Sequence, residues 1–276
     1  MKNKIKTFLF IIFLFVSAAQ INIALASPRR IATFNIQNLG QTKMSQPQVV
    51  NTIVSVIRAY DIVAVQEISD AHGDTPTRLL ASINASSPSY GMSLSPRSGM
   101  QPDDYTRAEQ YAYYYRTDLY ELMGSQLYND FQHDYFSREP WIARFRHIES
   151  GITFILITIH TVPTNTVAEI NSLHQVVLSI HSLWPEEQNI VLLGDMNAGC
   201  NYANQTQLES TDLFSSEYYW VVPHSADTNL AASVCAYDRV ILTEYFRNLY
   251  SGRWGVSYSI DKTISDHWPV WFEMNF

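Results

Sequence analysis

A carboxylate and an amide follow an apolar run in the last third of the chain. Residues 190–193, Ile-Val-Leu-Leu, carry no charge, which is typical of a strand buried on both faces. Gly194 ends the run, and Asp195 and Asn197 follow two residues apart, so alternation along an extended backbone predicts that both side chains face the same side. A carboxylate beside amide groups suits a hard divalent cation and a phosphate substrate. An Asx turn that closes a strand would use the same residue types, so the neighbouring segments must decide.

Other predicted strands also begin or end with a residue that can bind a metal ion or move a proton. These residues are Asn35, Glu67, Glu109, His160, Asp266 and His267. Because loops at one edge of a sheet converge, we expect these side chains to lie close together. Histidine transfers protons well when an acidic partner holds its tautomer, and Glu109 and Asp238 are available as partners. The sequence has no zinc-like cysteine or histidine spacing and no glycine-rich phosphate loop, so the set favours metal-assisted hydrolysis of a phosphate ester.

The pattern of apolar residues predicts the elements that position these side chains. Apolar runs predict strands over residues 31–36, 61–67, 109–115, 141–146, 153–159, 190–193, 218–222, 235–242 and 268–272. Helical spacing predicts helices over 48–58, 76–83 and 167–183, with a loop rich in Ser, Pro and Gly from 84 to about 104. Helices occur only between some of the strands, so we expect two packed sheets with helices on their outer faces, in one domain. The tyrosines of 111–115 are interpreted as packing residues.

The N-terminal residues predict export. A basic head with Lys2, Lys4 and Lys6 precedes an apolar run over 8–16, and Ala24-Leu25-Ala26 offers a cleavage site, so residues 1–26 are predicted to be a signal peptide and 27–276 the mature domain. We therefore expect a secreted protein, extracellular or periplasmic, without stable membrane association. Removing 1–26 removes three lysines and no acidic residue, which changes the formal net charge from −8 to −11. That charge argues against a polyanionic partner unless the acidic residues are concentrated at cation sites.

Two cysteines, Cys200 and Cys235, remain in the predicted mature chain. Export favours a disulfide between them, whereas two free thiols or an intermolecular bond are the alternatives.

Several longer motifs resemble the deoxyribonuclease I family, within the endonuclease/exonuclease/phosphatase superfamily. They are Phe34-Asn35-Ile36, Asp61-Ile62-Val63 with Gln66-Glu67, Phe136-Ser137-Arg138-Glu139-Pro140, the run 168–173, the run 194–200, Cys235-Ala236-Tyr237-Asp238-Arg239 and Ser265-Asp266-His267. The Gly-Asp-x-Asn and Ser-Asp-His motifs belong to the whole superfamily, whereas Phe-Ser-Arg-Glu-Pro and Cys-Ala-Tyr-Asp-Arg point to the secreted deoxyribonuclease branch. The resemblance covers nearly the whole mature chain. It implies an α/β fold, a four-layer α/β/β/α sandwich with two packed central β-sheets flanked by helices, and endonucleolytic cleavage of DNA to 5′-phosphate ends.

The resemblance also implies metal-binding and phosphate-binding positions. Asn35, Glu67 and Asp266 match positions near a catalytic divalent ion, which in this family is Mg²⁺. Asp195 and Asn197 match positions near the scissile phosphate or a second ion.

Two histidine–carboxylate pairs complete the catalytic set that the resemblance implies. His160 with Glu109, and His267 with Asp238, match the pairs that flank the phosphate. One histidine would activate the attacking water and the other would protonate the leaving 3′ oxygen, and the sequence does not assign the two roles.

The remaining carried-over positions concern DNA contact and stability. Arg138 matches an arginine that contacts DNA phosphate, and Tyr237 a nearby tyrosine. Cys200–Cys235 matches the structural disulfide of the family. Asp227 matches a ligand of a loop that holds structural Ca²⁺. A second calcium loop retains Asp134, Phe136 and Glu139, with Asp130 as a further candidate ligand.

Departures from the family pattern affect the expected partners. Gln37 and Ser69 stand where vertebrate members have arginines that reach DNA, so we expect weaker, more salt-sensitive or more metal-dependent binding to double-stranded DNA. Arg107 lies where the family has a groove-reading tyrosine and is a candidate charge contact. Trp141 replaces a small residue that touches actin in some vertebrate members, so actin binding is not expected. The protein is predicted to be a monomer.

Three functional hypotheses follow. The first is a secreted, metal-dependent endonuclease with little sequence specificity. The second is a phosphodiesterase or phosphatase of the same superfamily that acts on a lipid or inositol phosphate, against which the two branch-specific motifs argue. The third is a catalytically silent binding subunit, against which the complete set of catalytic positions argues.

Overall fold

The computed structural model describes residues 28–99 and 108–276. The predicted signal peptide, residues 1–26, and Arg107 lie outside these described residues. In the described part of the chain, no helix combines the length and the apolar character that a membrane crossing requires.

Strands make up most of the regular structure. They are β1 (Arg29–Leu39), β2 (Ile62–Ile68), β3 (Tyr90–Leu94), β4 (Gln110–Arg116), β5 (Tyr120–Leu127), β6 (Trp141–His147), β7 (Thr153–His160), β8 (Ile190–Asp195), β9 (Tyr218–Trp220), β10 (Asp238–Thr243), β11 (Tyr250–Val256) and β12 (Val270–Met274). They form two six-stranded mixed sheets, in the orders β11-β12-β1-β2-β4-β3 and β5-β6-β7-β8-β10-β9. Each sheet contains one parallel central pair, β1 with β2 and β7 with β8, so the chain leaves both strands of each pair at the same edge.

Helices cover the outer face of each sheet. They are α1 (Gln41–Met44), α2 (Pro47–Arg58), α3 (Thr75–Ile83), α4 (Thr166–Leu183), α5 (Gln205–Glu209) and α6 (Glu244–Arg247), with a short 3-10 helix at Asp212–Phe214. The apolar residues of α2 and α3 pack with the first sheet, and those of α4 pack with the second. A third core lies between the sheets. The predicted four-layer α/β/β/α sandwich is therefore confirmed.

The core between the sheets contains a small polar network just below the strand ends that carry the candidate site. Gln66 on β2 donates from Nε2 to Thr158 Oγ1 on β7 at 2.8 Å, and it also bonds Thr33 on β1. All three side chains are fully buried. Since buried polar groups need partners, this network fixes the register of one sheet against the other.

Most predicted elements occur in the structure, and the errors lie in irregular or edge segments. The expected loop from 84 to 104 is wrong in part, because β3 forms there as an edge strand paired with β4. Strands β5 and β11 and the short helices were not predicted. The predicted strand 235–242 begins only at Asp238, since the preceding residues form a loop. Tyr111, Tyr113 and Tyr114 are fully buried, which confirms them as packing residues.

Candidate active site

Irregular backbone at the ends of β1 and β2 directs Asn35 and Glu67 toward one point. The pairing of these strands shifts register after Asn35, where Gln37 and Asn38 have φ angles of 51° and 55°. Glu67 has a φ of 61°, where the register of β2 against β4 also shifts. Such bulges re-aim side chains at strand ends. Asn35 Nδ2 donates to Glu67 Oε1 at 2.8 Å, and the backbone N–H of Asn38 donates to Glu67 Oε2 at 2.9 Å.

Gly194 lets β8 approach β7 so closely that Asp195 comes to lie among the other candidate residues. A Cβ atom on Gly194, whose φ is 148°, would stand 2.0 Å from the carbonyl oxygen of Ile159. Asp195 is buried, and its Oδ2 accepts a hydrogen bond from Asn35 Nδ2 at 2.8 Å. The structure therefore links Asn35, Glu67 and Asp195 through a single amide group.

The alternation argument for Asp195 and Asn197 is wrong, because the extended backbone stops between them. β8 ends at Asp195, and Asn197 has a left-handed backbone with a φ of 47°. The two residues still meet, since the backbone N–H of Asn197 donates to Asp195 Oδ1 at 3.0 Å. The side chain of Asn197 turns to donate to the carbonyl oxygen of Thr161 at 2.9 Å.

Two histidine–carboxylate pairs lie next to Asp195. His160 Nδ1 lies 2.9 Å from Glu109 Oε2, and His267 Nδ1 lies 2.8 Å from Asp238 Oδ2. The other ring nitrogens point to a shared atom: Asp195 Oδ2 lies 3.5 Å from Nε2 of His160 and 3.4 Å from Nε2 of His267. Each histidine thus has one nitrogen held by a carboxylate and the other directed to a common point, which is an arrangement for proton transfer.

Burial and charge act in opposite directions on these groups. Burial lowers the pKa of His160, but the carboxylates of Glu109 and Asp195 outweigh it and raise that pKa above its ordinary value. The same balance, with Asp238 and Asp195 as the acids, raises the pKa of His267. Burial raises the pKa of Asp195, yet charged His267 and His160 bring it below its ordinary value. The two histidines, Glu109 and Asp195 therefore stabilise each other in their charged forms, whereas burial raises the pKa of Asp238 above its ordinary value.

The side chains at this point could hold a cation. Glu67, His160 and Asp195 each offer a ligand atom, and these atoms lie within 4.8 Å of one another. Asp195, Asp238 and His267 form a second such group, and both groups found among the described residues share Asp195. Carboxylate oxygens are the ligands that hard divalent cations prefer, so the donor chemistry of the site fits a divalent metal ion.

Asp266, a predicted metal ligand, does not join either group. Its side chain is exposed. Lys43, which the sequence analysis missed, lies near it: Nζ donates to the carbonyl oxygens of Ile36 at 2.6 Å and Ile264 at 2.5 Å. Burial lowers the pKa of Lys43 to about 8, although the carboxylates of Glu67 and Asp266 act to raise it. Lys43 thus ties the end of β1 to the segment that carries Asp266, and no apolar pattern marks it in the sequence.

Arg138 and Tyr237, the predicted DNA contacts, are placed differently. The Arg138 side chain is only 11% exposed; Nε donates to the carbonyl oxygen of His160 at 3.0 Å, and Nη1 lies 3.4 Å from Glu109 Oε1. Tyr237 is half-buried, and its ring centre lies 5.9 Å from that of His267. Tyr237 therefore lines the site beside His267, whereas Arg138 lies behind the His160–Glu109 pair.

A disulfide links the two chain segments beside Asp195. Cys200 and Cys235 are bonded, with their Cα atoms 5.6 Å apart, which confirms the predicted pairing. The backbone N–H of Met196 donates to the carbonyl oxygen of Tyr237 at 3.0 Å, and Asp195 pairs with Asp238 across β8 and β10. The disulfide therefore supports a region that already carries two of the site's carboxylates.

The loop with Asp227, the predicted calcium ligand, closes next to this disulfide. Asp227 Oδ1 accepts a hydrogen bond from Asn229 Nδ2 at 3.2 Å, and Asn229 Nδ2 also donates to the carbonyl oxygen of Ser233 at 3.0 Å. Asp227 belongs to neither of the clusters of three possible ligands found among the described residues. A cation there would therefore depend on backbone carbonyl oxygens.

Comparison with known proteins agrees with this fold and site. The profile described as the endonuclease/exonuclease/phosphatase family matches residues 32–267. Among solved structures, an endonuclease/exonuclease/phosphatase from Bacteroides vulgatus superposes with a TM-score of 0.63 at 18% identity, covering 90% of this chain and 98% of that one. A mannosyl-6-phosphatase from Bacteroides thetaiotaomicron superposes with a TM-score of 0.59 at 14% identity, covering 90% of this chain and 100% of that one. These two structures show the shared fold alone.

Sequence similarity to curated proteins is more specific. Deoxyribonuclease-1 from Homo sapiens is 34% identical over 259 residues, which cover 87% of this chain and 90% of that protein. Deoxyribonuclease-1 from Gallus gallus is 34% identical over 270 residues, covering 92% of this chain and 94% of that protein. The chain belongs to the endonuclease/exonuclease/phosphatase family, and within it to the deoxyribonuclease I family.

Proposed function

We propose that the protein is a secreted, divalent-metal-dependent endonuclease that hydrolyses DNA phosphodiester bonds with little sequence specificity and leaves 5′-phosphate ends. The observation that carries the proposal is the pair of histidine–carboxylate dyads whose Nε2 atoms both approach Asp195 Oδ2, at 3.5 Å and 3.4 Å. Hydrolysis of a phosphodiester needs one group to accept a proton and one to donate a proton on opposite sides of the phosphorus atom. The similarity to deoxyribonuclease-1 supports DNA as the substrate.

In the proposed reaction, a water oxygen attacks phosphorus and the bond to the 3′ oxygen breaks. The Nε2 atom of one histidine accepts the proton from the water, and the Nε2–H of the other donates a proton to the leaving 3′ oxygen. Glu109 and Asp238 hold the Nδ1 atoms at 2.9 Å and 2.8 Å and stabilise the charged form of each ring. The product phosphate stays on the 5′ carbon, and the two histidines exchange protonation states until solvent restores them.

Asn35, Glu67 and Asp195, with Asp266 after a movement of its exposed side chain, are proposed to hold the catalytic ion, Mg²⁺. When bound, Mg²⁺ would stabilise the negative charge that develops on the phosphate oxygens. Asn197 would help to position the scissile phosphate. A structural Ca²⁺ ion is proposed at Asp227.

Contacts to the DNA backbone rather than to bases explain the proposed lack of sequence specificity. Tyr237 beside His267 is proposed to contact the strand near the scissile bond. Arg138 is proposed to add positive charge close to the phosphate from behind the His160–Glu109 pair. Few other arginines stand at the matching positions, so the affinity for double-stranded DNA should be low.

The proposal includes export and a monomeric state. Residues 1–26 are proposed as a signal peptide, so that the domain 27–276 acts outside the cell or in the periplasm without stable membrane association. Actin is not a proposed partner, because Trp141 stands at the matching contact position and donates from Nε1 to Ser93 Oγ at 3.1 Å.

A plasmid-nicking assay tests the proposed function. Purified protein 27–276 is incubated with supercoiled DNA in Mg²⁺, in Mg²⁺ with Ca²⁺, and in chelator, and parallel reactions offer a phosphoinositide and a sphingolipid phosphodiester. The proposal predicts nicking in Mg²⁺, more in Mg²⁺ with Ca²⁺, and none in chelator. Release of phosphate from the phosphoinositide, or of the phosphorylated headgroup from the sphingolipid, without nicking of DNA would instead support the phosphodiesterase or phosphatase alternative. Nicking in chelator would refute the metal requirement.

A further inference from the structure

Glu169 is a buried carboxylate on the apolar face of α4. Its relative exposure is 0%, and its neighbours on the same face, Leu173, Val176 and Ile180, belong to the core beneath the second sheet. An acid at the i position of an i, i+4, i+7, i+11 apolar stripe is unusual, because burial disfavours its charged form. In agreement, burial raises the pKa of Glu169 above its ordinary value. The charge therefore needs specific partners.

Those partners are two backbone N–H groups from different loops. Glu169 Oε1 accepts a hydrogen bond from the N–H of Ser137 at 2.9 Å, and Oε2 accepts one from the N–H of Val162 at 2.9 Å. Hydrogen bonds to an ionised carboxylate are roughly twice as strong as those between neutral groups. One side chain thus clamps the loop before β6 to the loop that follows β7.

Both clamped loops carry residues of the candidate site. Ser137 precedes Arg138, and Val162 lies two residues after His160. Arg138 also joins the two loops, because its Nε donates to the carbonyl oxygen of His160 at 3.0 Å and its Nη2 donates to that of Thr161 at 3.2 Å. Arg138 Nη1 also lies 3.4 Å from Glu109 Oε1. The positions of His160 and Glu109 therefore depend on loops that Glu169 holds together.

We propose that Glu169 is a positioning residue for the His160–Glu109 pair, acting through Arg138 and the backbone of Ser137 and Val162. Glu169 does not touch the groups that would react, so its effect is on the orientation of His160 Nε2 toward Asp195. The consequence for catalysis rests on the proposed function, whereas the consequence for the geometry of His160 does not.

The variant Glu169→Gln tests this proposal. Glutamine has the same shape but only one acceptor oxygen, so one of the two N–H groups loses its partner and meets an NH₂ group instead. The matched control is Glu187→Gln. Glu187 is equally buried and bonds Arg144 and the N–H of Asn189, but it precedes the start of β8, at the end of the sheet remote from Asp195.

The first measurement does not require turnover. In ¹H NMR spectra of isotope-labelled protein, the Nδ1–H protons of His160 and His267 should give separate downfield resonances, because each is hydrogen-bonded to a carboxylate. Glu169→Gln should broaden or shift the His160 resonance and leave that of His267 in place, and Glu187→Gln should leave both in place. An unchanged His160 resonance in Glu169→Gln would overturn the proposal, and so would an equal change in both resonances.

The second measurement is steady-state DNA cleavage. Residues that orient functional groups without touching the substrate typically contribute 10- to 100-fold, so kcat should fall by about that factor in Glu169→Gln while KM stays within about twofold. A fall no larger than that of Glu187→Gln would overturn the proposal. If the wild-type protein does not cleave DNA, the proposed function fails, and the NMR result still decides the role of Glu169.

A second variant guards against loss of folding. Glu169→Asp keeps the charge but shortens the side chain by one methylene, so it can reach only one of the two N–H groups. If Glu169→Gln does not fold, the same His160-selective change is expected in Glu169→Asp, and its absence there would overturn the proposal.

Discussion

The disulfide between Cys200 and Cys235 should support both the fold and the active site, and its removal by Cys200→Ala with Cys235→Ala tests this. The bond closes a loop with a sequence separation of 35 residues. In the chain-entropy model, such a loop stabilises the folded state by about 4 kcal/mol at 25 °C. With an m-value of about 2.5 kcal/mol/M, the urea midpoint should fall by roughly 1.5 M.

The same variant should lose activity below its unfolding transition. Cys200 follows Asp195 by five residues and Cys235 precedes Asp238 by three, so loss of the bond frees the loop that follows one carboxylate and the loop that precedes the other. We expect kcat for plasmid nicking to fall at a temperature where circular dichroism shows a folded protein, and the reduced wild-type protein should behave like the double variant. A stability loss below ~1 kcal/mol would refute the entropic argument. If the unfolding free energy falls by the full expected amount and kcat is unchanged, the claim that the disulfide supports the active site is refuted.

Two further perturbations act on the centre of the site. In Gly194→Ala, the new Cβ would stand 2.0 Å from the carbonyl oxygen of Ile159, so the unfolding free energy measured by urea titration should fall by about 3 kcal/mol. The control is Gly124→Ala, where no atom lies within 4 Å of the new Cβ and the unfolding free energy should change little. Burial lowers the pKa of His267, but the carboxylate of Asp238 is among the groups that raise it from 6.5 to about 10. The stability that this charged histidine contributes is thus fully present below pH 6.5 and is lost as the pH rises through about 10. In chelator, the melting temperature of the wild-type protein should therefore fall between pH 7 and 10, and that of His267→Gln should fall by less. If calorimetry gives the same slope of melting temperature against pH for the two proteins, this prediction is contradicted.

The apolar patterns predicted those parts of the fold that are buried on both sides. The run 190–193 and the strand 153–159 have a sheet on one face and a helix on the other, so their sequences contain no charged residue and few polar ones. Strand β5, with the sequence YELMGSQL, lies at a sheet edge with exposed polar residues, and this pattern does not distinguish it from a loop. Strand β3 contains Gly91 and Ser93 and lies in a segment rich in turn-forming residues. Edge position, rather than low strand propensity alone, explains these omissions.

The convergence of the site residues was predictable, but the local backbone was not. The strand ends at Asn35, Glu67, His160 and Asp195 were expected to meet because loops at one edge of a sheet converge. The left-handed conformation of Glu67, with a φ of 61°, lies at a register shift between strands, and that of Asn197 follows the end of β8. Alternation along one strand reveals neither feature.

Buried charged residues were the hardest to place from sequence. Arg138 was expected to contact DNA because it matches an arginine that does so in the family, whereas its guanidinium group bonds two backbone carbonyls behind the site. Glu169 carried a usable signal, since it stands on the apolar stripe of α4 with Leu173 and Val176. An acid within an apolar stripe is worth marking as a candidate for a structural or functional hydrogen-bond network.

Plasmid nicking in Mg²⁺ by His160→Gln and His267→Gln tests the central claim most directly, with His174→Gln as the matched control. His174 lies on α4 and bonds the hydroxyl group of Tyr218 at 2.7 Å, away from Asp195. Because each histidine is proposed to move a proton in the reaction, either of the first two substitutions should reduce kcat by about 10²- to 10⁴-fold, while His174→Gln should match the wild-type protein. Wild-type activity in either His160→Gln or His267→Gln would contradict the account.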